Sequence, residues 1–377
     1  MRISSSSHIS ALATAYNSTM VTVVLPTANR PQMLRTALQS ILSQSAKEKI
    51  GCVIVSENGG AGREDGSSEV CTGFPALPIR YVYRDPPMDA KAHGAALYLE
   101  ASELAAPYVA VLHDDDWWAS DHLANALRHL QTNQDAVAYW STNFAVEDEA
   151  SWYSSISTIT CWMAAGFPPL HEVAKLDCRQ AALACLGGAP AHYSTLVAEK
   201  RALADAFLAV AETGNSLDND RLLFVELAKR GTILASFVPE VFVRRHVAQA
   251  HRAFSPATYR GQLAATTRAI MDFSAREGID IIAEFARRYE ECPHPAIRSE
   301  LVSSIMPGVL EELRRYNPQA IAYLLRRHHS AKWFAQQVCP PFIYKLAIYI
   351  KAMIARDNCA AERRSEARPL NPGTEVA

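Results

Sequence analysis

The sequence predicts an α/β fold with a mainly parallel sheet and flanking helices, followed by a C-terminal helical region. Between residues 21 and 112, short runs of β-branched and other apolar residues alternate with stretches of helical period. A run that is apolar throughout is typical of a strand buried on both faces. Strands that alternate with helices at these lengths indicate βαβ units. Beyond residue 255 the pattern is helical, with breaks at prolines.

The elements of the α/β part can be predicted in order. Residues 21–25 form a buried strand that ends at Pro26, and a helix begins near Pro31, which suits a first helical turn. The apolar face of this helix has the i, i+3, i+4, i+7, i+8 spacing and consists of Leu34, Ala37, Leu38, Ile41 and Leu42. Further strands are expected at 52–56, 79–83, 108–112 and 136–142, helices at 91–104, 199–210 and 218–229, and short apolar runs at 233–237 and 241–243.

The sequence divides into three predicted regions: a flexible N-terminal arm at 1–19, the α/β domain at 20–254, and the helical region at 255–377. The 377 residues include 37 basic and 39 acidic side chains, for a net charge of −2. This balance excludes a disordered tail protein and a generally basic nucleic-acid binder. The eight cysteines lack a Cys-x-x-Cys pair or zinc spacing, which indicates reduced thiols in a cytoplasmic protein.

The most apolar run of the chain lies in the segment 342–356. It is too short to span a membrane and is interrupted by Lys345. The segment has one apolar helical face beside basic residues, a pattern typical of peripheral contact with the inner face of a membrane. A helix that packs on the α/β domain has the same pattern, so both interpretations stay open.

Three carboxylates, Asp114, Asp115 and Asp116, directly follow a predicted buried strand. Clustered carboxylates repel one another, and a divalent cation is their natural counter-charge. In an extended chain Asp114 and Asp116 point the same way and Asp115 points the opposite way. Acidic residues before a helix also act as helix caps, but the place at the carboxyl end of a buried strand favours the cation.

The order of these motifs resembles glycosyltransferase family 2. The motifs are VTVVLPTANR at 21–30, VSENGG at 55–60, KAHG at 91–94 and HDDDWW at 113–118, and the resemblance covers residues 20–251. The Pro-Thr-x-Asn-Arg of the family is intact at 26–30, and its Asp-x-Asp is matched by Asp114 and Asp116. The resemblance implies the GT-A fold, which is a Rossmann-like, mainly parallel sheet with flanking helices, and a nucleotide-sugar donor, most simply a UDP-sugar.

The resemblance also assigns roles to the donor-binding residues. Thr27 and Glu57 are expected to hold the nucleoside, because a carboxylate can accept a base N–H. Glu57 stands where the family more often has Asp, which leaves the base open. Lys91 is expected to contact the diphosphate. An equal alternative is that Lys91 is a solvent-exposed residue at the start of a helix, without a role in binding. Asp114 and Asp116 are expected to bind Mn²⁺ or Mg²⁺ and, through Asp114, the donor.

Two later segments complete the resemblance. The segment GNSLDNDR at 214–221 resembles the region of the family that carries the catalytic base, and Asp220 falls on the base, with Asp218 as the alternative. Asn219 stands where the family usually has Glu. The segment VFVRRH at 241–246 resembles the closing Arg-x-His, which implies His246 as a metal or diphosphate ligand and Arg245, or Arg244, as a diphosphate contact.

The implied function is inverting transfer of a sugar from a nucleotide diphosphate sugar to a glycan or lipid-linked acceptor, in cell-surface polysaccharide synthesis. Two alternatives remain at this stage. The same carboxylates could serve a metal-dependent nucleotidyl or phosphoryl enzyme. A non-catalytic glycan-binding assembly subunit could keep the fold. The departures that favour it are Glu57, Asn219 and Ala92, which stands where the family commonly has Asn. P-loop, α/β-hydrolase and zincin signatures do not occur in the sequence.

Overall fold

The computed structural model describes residues 20–59, 66–147, 151–154, 173–186, 190–212, 219–246, 255–291, 307–316 and 318–319. Within these residues the strands are β1 (Val21–Thr27), β2 (Ile50–Asn58), β3 (Ile79–Arg84), β4 (Tyr108–Val111), β5 (Trp117–Trp118), β6 (Ala136–Glu147), β7 (Ser151–Ser154), β8 (Val173–Leu176), β9 (Leu196–Glu199) and β10 (Thr232–Arg245). They form one sheet of order β3-β2-β1-β4-β9-β6-β10-β5, with β7 beside β6 and β8 beside β10.

Helices cover the sheet and continue after it. In the described ranges they are α1 (Pro31–Leu42), α2 (Ser67–Thr72), α3 (Ala90–Ser102), α4 (His122–Thr132), α5 (Cys178–Ala184), α6 (Lys200–Glu212), α7 (Asn219–Ala228), α8 (Pro256–Arg276), α9 (Ile281–Glu291) and α10 (Pro307–Tyr316). The chain divides into two compact units, Met1–Leu324 and Leu325–Ala377, and every described residue lies in the first. The predicted arm at 1–19 and the segment 342–356 lie outside the described residues, and the predicted boundary near 255 stays a prediction. None of the helices in the described ranges combines the length and apolarity needed to cross a bilayer.

The first half of the sheet is parallel, as the sequence predicted. Strand β1 lies between β2 and β4 and pairs with both in parallel. Its residues Val21, Val23, Val24 and Leu25 are completely buried, which explains why the run is apolar without alternation. The predicted helix after Pro31 is confirmed as α1, and its apolar face, including Leu34 and Ile41, is buried.

The second half of the sheet is mixed, where the sequence predicted mainly parallel strands. Strand β9 pairs antiparallel with both β4 and β6, and β5 and β8 pair antiparallel with β10. These added strands have two to four residues, too few to give a periodic pattern. The two apolar runs predicted at 233–237 and 241–243 are one strand, β10, whose register shifts on either side of Pro239.

The topology brings the carboxyl ends of six of the described strands, β3 beside β2 included, to one edge of the sheet. Strands β1, β2 and β4 are mutually parallel, and β9 is antiparallel to both β4 and β6, so β6 runs in the direction of β4. Strand β10 is parallel to β6. Thr27, Asn58, Val111 and Arg245 end four of these strands at that edge. Ligands of open α/β sheets bind beyond the carboxyl ends of the strands, so this edge is where a site is expected.

Candidate active site

The end of β1 is tied to the acidic segment and to β2. The Thr27 hydroxyl donates a hydrogen bond to Asp114 Oδ2 at 2.8 Å, and both side chains are buried. Asn29 has a φ of 56°, a left-handed conformation that Asn tolerates better than most residues. The backbone amide of Asn29 donates a hydrogen bond to Glu57 Oε1 at 3.0 Å. Glu57, predicted at the nucleoside, therefore also fixes the turn that follows β1.

The three carboxylates do not alternate as they would along an extended strand. Asp114 and Asp115 lie in a turn, and Arg30 Nη1 bridges them at 3.2 Å from Asp114 Oδ1 and 3.3 Å from Asp115 Oδ2. Asp116 is turned toward different partners. The expectation that Asp115 points away from Asp114 is therefore wrong, because a turn brings neighbouring side chains to the same cation.

The end of β10 closes over this acidic turn. The Arg244 amide donates to Asp116 Oδ1 at 3.0 Å, and its Nε donates to the Asp115 carbonyl at 3.2 Å. Its guanidinium lies over the Trp117 ring, 5.0 Å from the ring centroid. His246 Nε2 lies 2.9 Å from Asp115 Oδ2. Arg245, the other predicted diphosphate contact, is exposed at the end of the strand.

The segment just before β9, whose individual residues had no predicted role, packs against Asp116. The Ser194 hydroxyl donates to Asp116 Oδ2 at 2.5 Å and accepts from the His113 amide at 3.1 Å. His192 Nδ1 lies 3.4 Å from the same carboxylate oxygen. Asp116 is 1% exposed, so nearly all of its surface is taken by these neighbours. His192 and Ser194 lie in a loop whose sequence has no periodic signal, whereas His113 adjoins the acidic motif itself.

Burial dominates the electrostatics of the acidic turn. It raises the pKa of Asp114 to about 6, and the charge of Asp115 adds to the effect. Burial and the charge of Asp115 also raise the pKa of Asp116 well above its ordinary range. Burial acts on Asp115 too, but His113 and the hydrogen bond from His246 outweigh it and hold its pKa below the ordinary value. Crowded, desolvated carboxylates of this kind are stabilised in their charged forms by a bound cation.

The predicted diphosphate ligand Lys91 lies in the first turn of α3. Asp89 caps this helix by accepting the amides of Lys91 and Ala92 at 3.0 and 2.9 Å. The Lys91 ammonium donates to the Ala211 carbonyl at 2.7 Å, in the last turn of α6. A cation is favourable at a helix carboxyl terminus, so the lysine has a structural partner in this conformation.

The predicted base Asp220 lies half-buried in the first turn of α7. Burial raises the pKa of Tyr98 on α3, and the charge of Asp220 raises it further, which places the carboxylate within electrostatic range of that hydroxyl. Its neighbour Arg221 is completely buried and donates from Nε to the Cys185 carbonyl at 2.7 Å. This anchor fixes the turn that carries Asp220. Asp218, the alternative base, lies outside the described residues.

Residues 22–181 match the family model described as Glycosyl transferase family 2. This match covers under half of the chain, and over that stretch the sequence is similar to glycosyltransferase family 2. This confirms the resemblance on which the sequence analysis drew, and it supports a transferase enzyme. The match includes the end of β1 and the acidic turn, while α7 and β10 follow it.

A curated relative and solved structures of glycosyltransferases are also similar to this chain. A glycosyltransferase of Streptococcus pneumoniae serotype 4, GlyA, is 28% identical over 139 residues, which cover 36% of this chain and 18% of that protein. S. aureus TarS 1-349 in complex with UDP-GlcNAc superposes with a TM-score of 0.52 at 12% identity, over 82% of this chain and 88% of TarS. The UDP complex of TarS gives 0.50 at 11% identity over the same shares. The fold is therefore the GT-A fold predicted from the sequence.

Proposed function

We propose that the protein transfers a sugar from a UDP-sugar, with inversion at the anomeric carbon, to a glycan or lipid-linked acceptor in cell-surface polysaccharide synthesis. The match to the family 2 model supports glycosyl transfer from a nucleotide sugar. The TarS complex with UDP-GlcNAc supports a UDP-sugar as the donor. The acceptor and the inverting course belong to the proposal.

The observation that carries the proposal is the meeting of three distant segments at one edge of the sheet. Arg30 follows β1, and Asp114 to Asp116 follow β4. Arg244 lies at the end of β10 and His246 directly after it. Hydrogen bonds of 2.9–3.3 Å join these three segments. Such a mixture of carboxylates and cations suits a metal-bound diphosphate, which needs both signs of charge. A helix cap would need only one carboxylate.

The residues fit a divalent cation, because three carboxylates share a buried turn and two of them have raised pKa values. Asp116 is the ligand at the centre of the proposal, with Asp114 and His246 as the partners suggested by the sequence. A cation there supplies electrostatic stabilisation to the departing diphosphate. The hydrogen bonds that Asp114 accepts from Thr27 and Arg30 orient its carboxylate in the absence of that charge.

The remaining roles concern the donor and the acceptor. Thr27 and Glu57 are proposed to contact the nucleoside beside the turn at Asn29. Lys91 and Arg245 are proposed to contact the diphosphate, for which Lys91 has to exchange its bond to the Ala211 carbonyl. Asp220 is proposed to take the proton of the acceptor hydroxyl as it attacks from the face opposite the leaving group, and that geometry inverts the anomeric configuration.

The proposal is tested by measuring UDP release from UDP-sugars with and without candidate acceptors, followed by NMR of the anomeric configuration of the product. Acceptor-dependent UDP release with an inverted product is expected. Release of pyrophosphate or a nucleoside monophosphate would favour the nucleotidyl or phosphoryl alternative. Binding of UDP-GlcNAc without turnover on any acceptor would favour the non-catalytic assembly subunit.

Peripheral membrane contact through residues 342–356 is a separate part of the proposal, and it would suit a lipid-linked acceptor. Flotation of the full chain with anionic vesicles tests it. The variant Leu346→Glu/Ile350→Glu should stay at the bottom of the gradient if the apolar face inserts. Equal flotation of both proteins would assign that face to contacts within the protein.

A further inference from the structure

Asp116 and two histidines form a cluster whose ligand atoms lie close enough together to converge on one metal ion. His113, Asp116 and His192 each offer one ligand atom, and these atoms all lie within 4.8 Å of one another. His192 Nδ1 and Asp116 Oδ2 are 3.4 Å apart. Ligands placed about 2.1 Å from one tetrahedral ion are separated by about 3.4 Å, whereas a good N–H···O hydrogen bond is about 2.9 Å long. The spacing therefore fits a shared ion better than a direct hydrogen bond.

Hydrogen bonds hold both oxygens of the Asp116 carboxylate in an orientation that a metal ion can use. Oδ1 is held by the Arg244 amide and Oδ2 by the Ser194 hydroxyl. The Ser194 hydroxyl also accepts a hydrogen bond from the backbone amide of His113, and so links one histidine residue to the carboxylate. Hydrogen bonds from neighbouring groups orient metal ligands in this way. His192 Nδ1 accepts a long bond of 3.3 Å from the Ser194 amide, a weak contact that a metal bond can replace.

We infer that His113, Asp116 and His192 bind a divalent transition-metal ion, and that these two histidines, rather than His246, complete the site on Asp116. Imidazole ligands suit transition metals, whereas Mg²⁺ prefers oxygen ligands. Two neutral imidazoles and one carboxylate leave the ion with a single net positive charge. Both histidines are half-buried, whereas Asp116 is buried. Three protein ligands leave further coordination positions of the ion for small anions.

His246 has a different partner in the structure. Its Nε2 lies 2.9 Å from Asp115 Oδ2, and Asp115 also meets Arg30 at 3.3 Å. His246 therefore contacts Asp115 and not the Asp116 carboxylate that the other two histidines adjoin. The remaining coordination positions of the ion would accept diphosphate oxygens of the donor, and this part of the inference rests on the proposed function.

The inference is tested by titrating Mn²⁺ into the chelator-treated full chain without any nucleotide. Free Mn²⁺ is followed by EPR, and coordinated imidazole nitrogen is detected by electron spin-echo modulation. Nitrogen modulation is expected in the wild type and should persist in a large excess of Mg²⁺. His113→Gln and His192→Gln should each reduce the modulation and weaken binding at least about 10-fold. His129→Gln, on α4, is the control and should keep both the modulation and the affinity. His246→Gln distinguishes this ligand set from the one that the sequence implied and should also keep both.

Absence of nitrogen modulation in the wild type would overturn the inference. So would loss of the modulation in His246→Gln, or its full retention in both His113→Gln and His192→Gln. Thermal unfolding without metal identifies any variant that fails to fold, and His192→Asn then replaces His192→Gln. UDP-GlcNAc binding is measured separately on the wild type. Metal binding with imidazole coordination but without any nucleotide-sugar binding would overturn the proposed function and leave the metal site standing.

Discussion

Arg30 Nη1 lies 3.2 Å from Asp114 Oδ1, across an interval of 84 residues in the sequence. The same nitrogen lies 3.3 Å from Asp115. The arginine side chain is 28% exposed and the Asp114 side chain is 5% exposed, so the pair lies at the mouth of a largely buried turn. Arg30 therefore supplies positive charge to the carboxylates when no cation is bound.

Replacing this arginine should make the acidic turn more dependent on metal. Arg30→Gln removes charge-assisted hydrogen bonds to two carboxylates, and the free energy of unfolding should fall by about 1–3 kcal/mol. The repulsion left between Asp114 and Asp115 should increase the rise in Tm that Mn²⁺ produces. Thermal unfolding with and without Mn²⁺ measures both effects. Arg35→Gln, on the exposed side of α1, is the control, and equal behaviour of the two variants would contradict the charge-compensating role.

The parallel half of the fold could be predicted because its signal is local. A strand buried on both faces must be apolar at every position, and α1 must repeat its apolar face at the helical period. Strand β9 gives no such signal, because it has only four residues, of which three are buried, and it pairs with β4 and β6 from distant parts of the chain. The split prediction for β10 has a physical cause as well, since the shifts of register around Pro239 interrupt the pattern without ending the strand.

The candidate site was predictable only where a motif marks it. Asp114 and Asp116 could be named because acidic residues after a buried strand are unusual. The turn at 114–115 could not be foreseen, so the relation between Asp115 and Arg30 was missed. Ser194 and His192 depend on the antiparallel β9, which brings their loop to Asp116. Long-range pairing of this kind leaves no trace in local composition.

Gly94 should tolerate no side chain, because α3 and α6 touch there. A Cβ at this position would lie 2.9 Å from Phe207 Cζ, and Phe207 also packs edge-on against Tyr98. Gly94→Ala should therefore destabilise the protein by about 1–3 kcal/mol through overpacking. Gly261→Ala on α8 is the control: no atom lies within 4 Å of its added Cβ, so it should raise stability by up to about 1 kcal/mol. Urea unfolding measures both, and recovery in Gly94→Ala/Phe207→Leu would identify the clash as the cause.

Glu284 should make stability depend on pH in the acid range. Its carboxylate accepts bonds from Arg287 at 2.5 Å and Arg288 at 3.2 Å within α9. It also accepts a bond from Arg179 at 3.1 Å, which joins α9 to α5. The bond from Arg287 is the main reason that its pKa falls from 4.5 to about 2. Because the pKa is lower in the folded state, the stabilisation is present above about pH 4.5 and is lost as the pH falls toward 2.

The variant Glu284→Gln tests this dependence. It should lower the free energy of unfolding by about 1 kcal/mol at neutral pH and by less near pH 3, where the wild type has lost part of the same contribution. Urea unfolding across this pH range measures the difference. Glu103→Gln, which changes an exposed carboxyl in the turn after α3, should follow the wild type at every pH. A constant difference between Glu284→Gln and the wild type would exclude titration of Glu284 as the origin.

Asp220 can be separated from the donor site by its effect on turnover. Asp220→Asn keeps the size of the side chain but cannot take the acceptor proton, so turnover should fall about 10²–10⁴-fold while UDP-sugar affinity persists. Asp218→Asn should be milder. Arg221→Lys provides the matched comparison, because it disturbs the bonds of the buried guanidinium to Cys185 and Thr267 and leaves the carboxylate in place. Loss of the acidic limb of the pH–rate profile should occur in Asp220→Asn and not in Arg221→Lys. Near-normal turnover of Asp220→Asn, or a product with retained anomeric configuration, would remove Asp220 from the role of base.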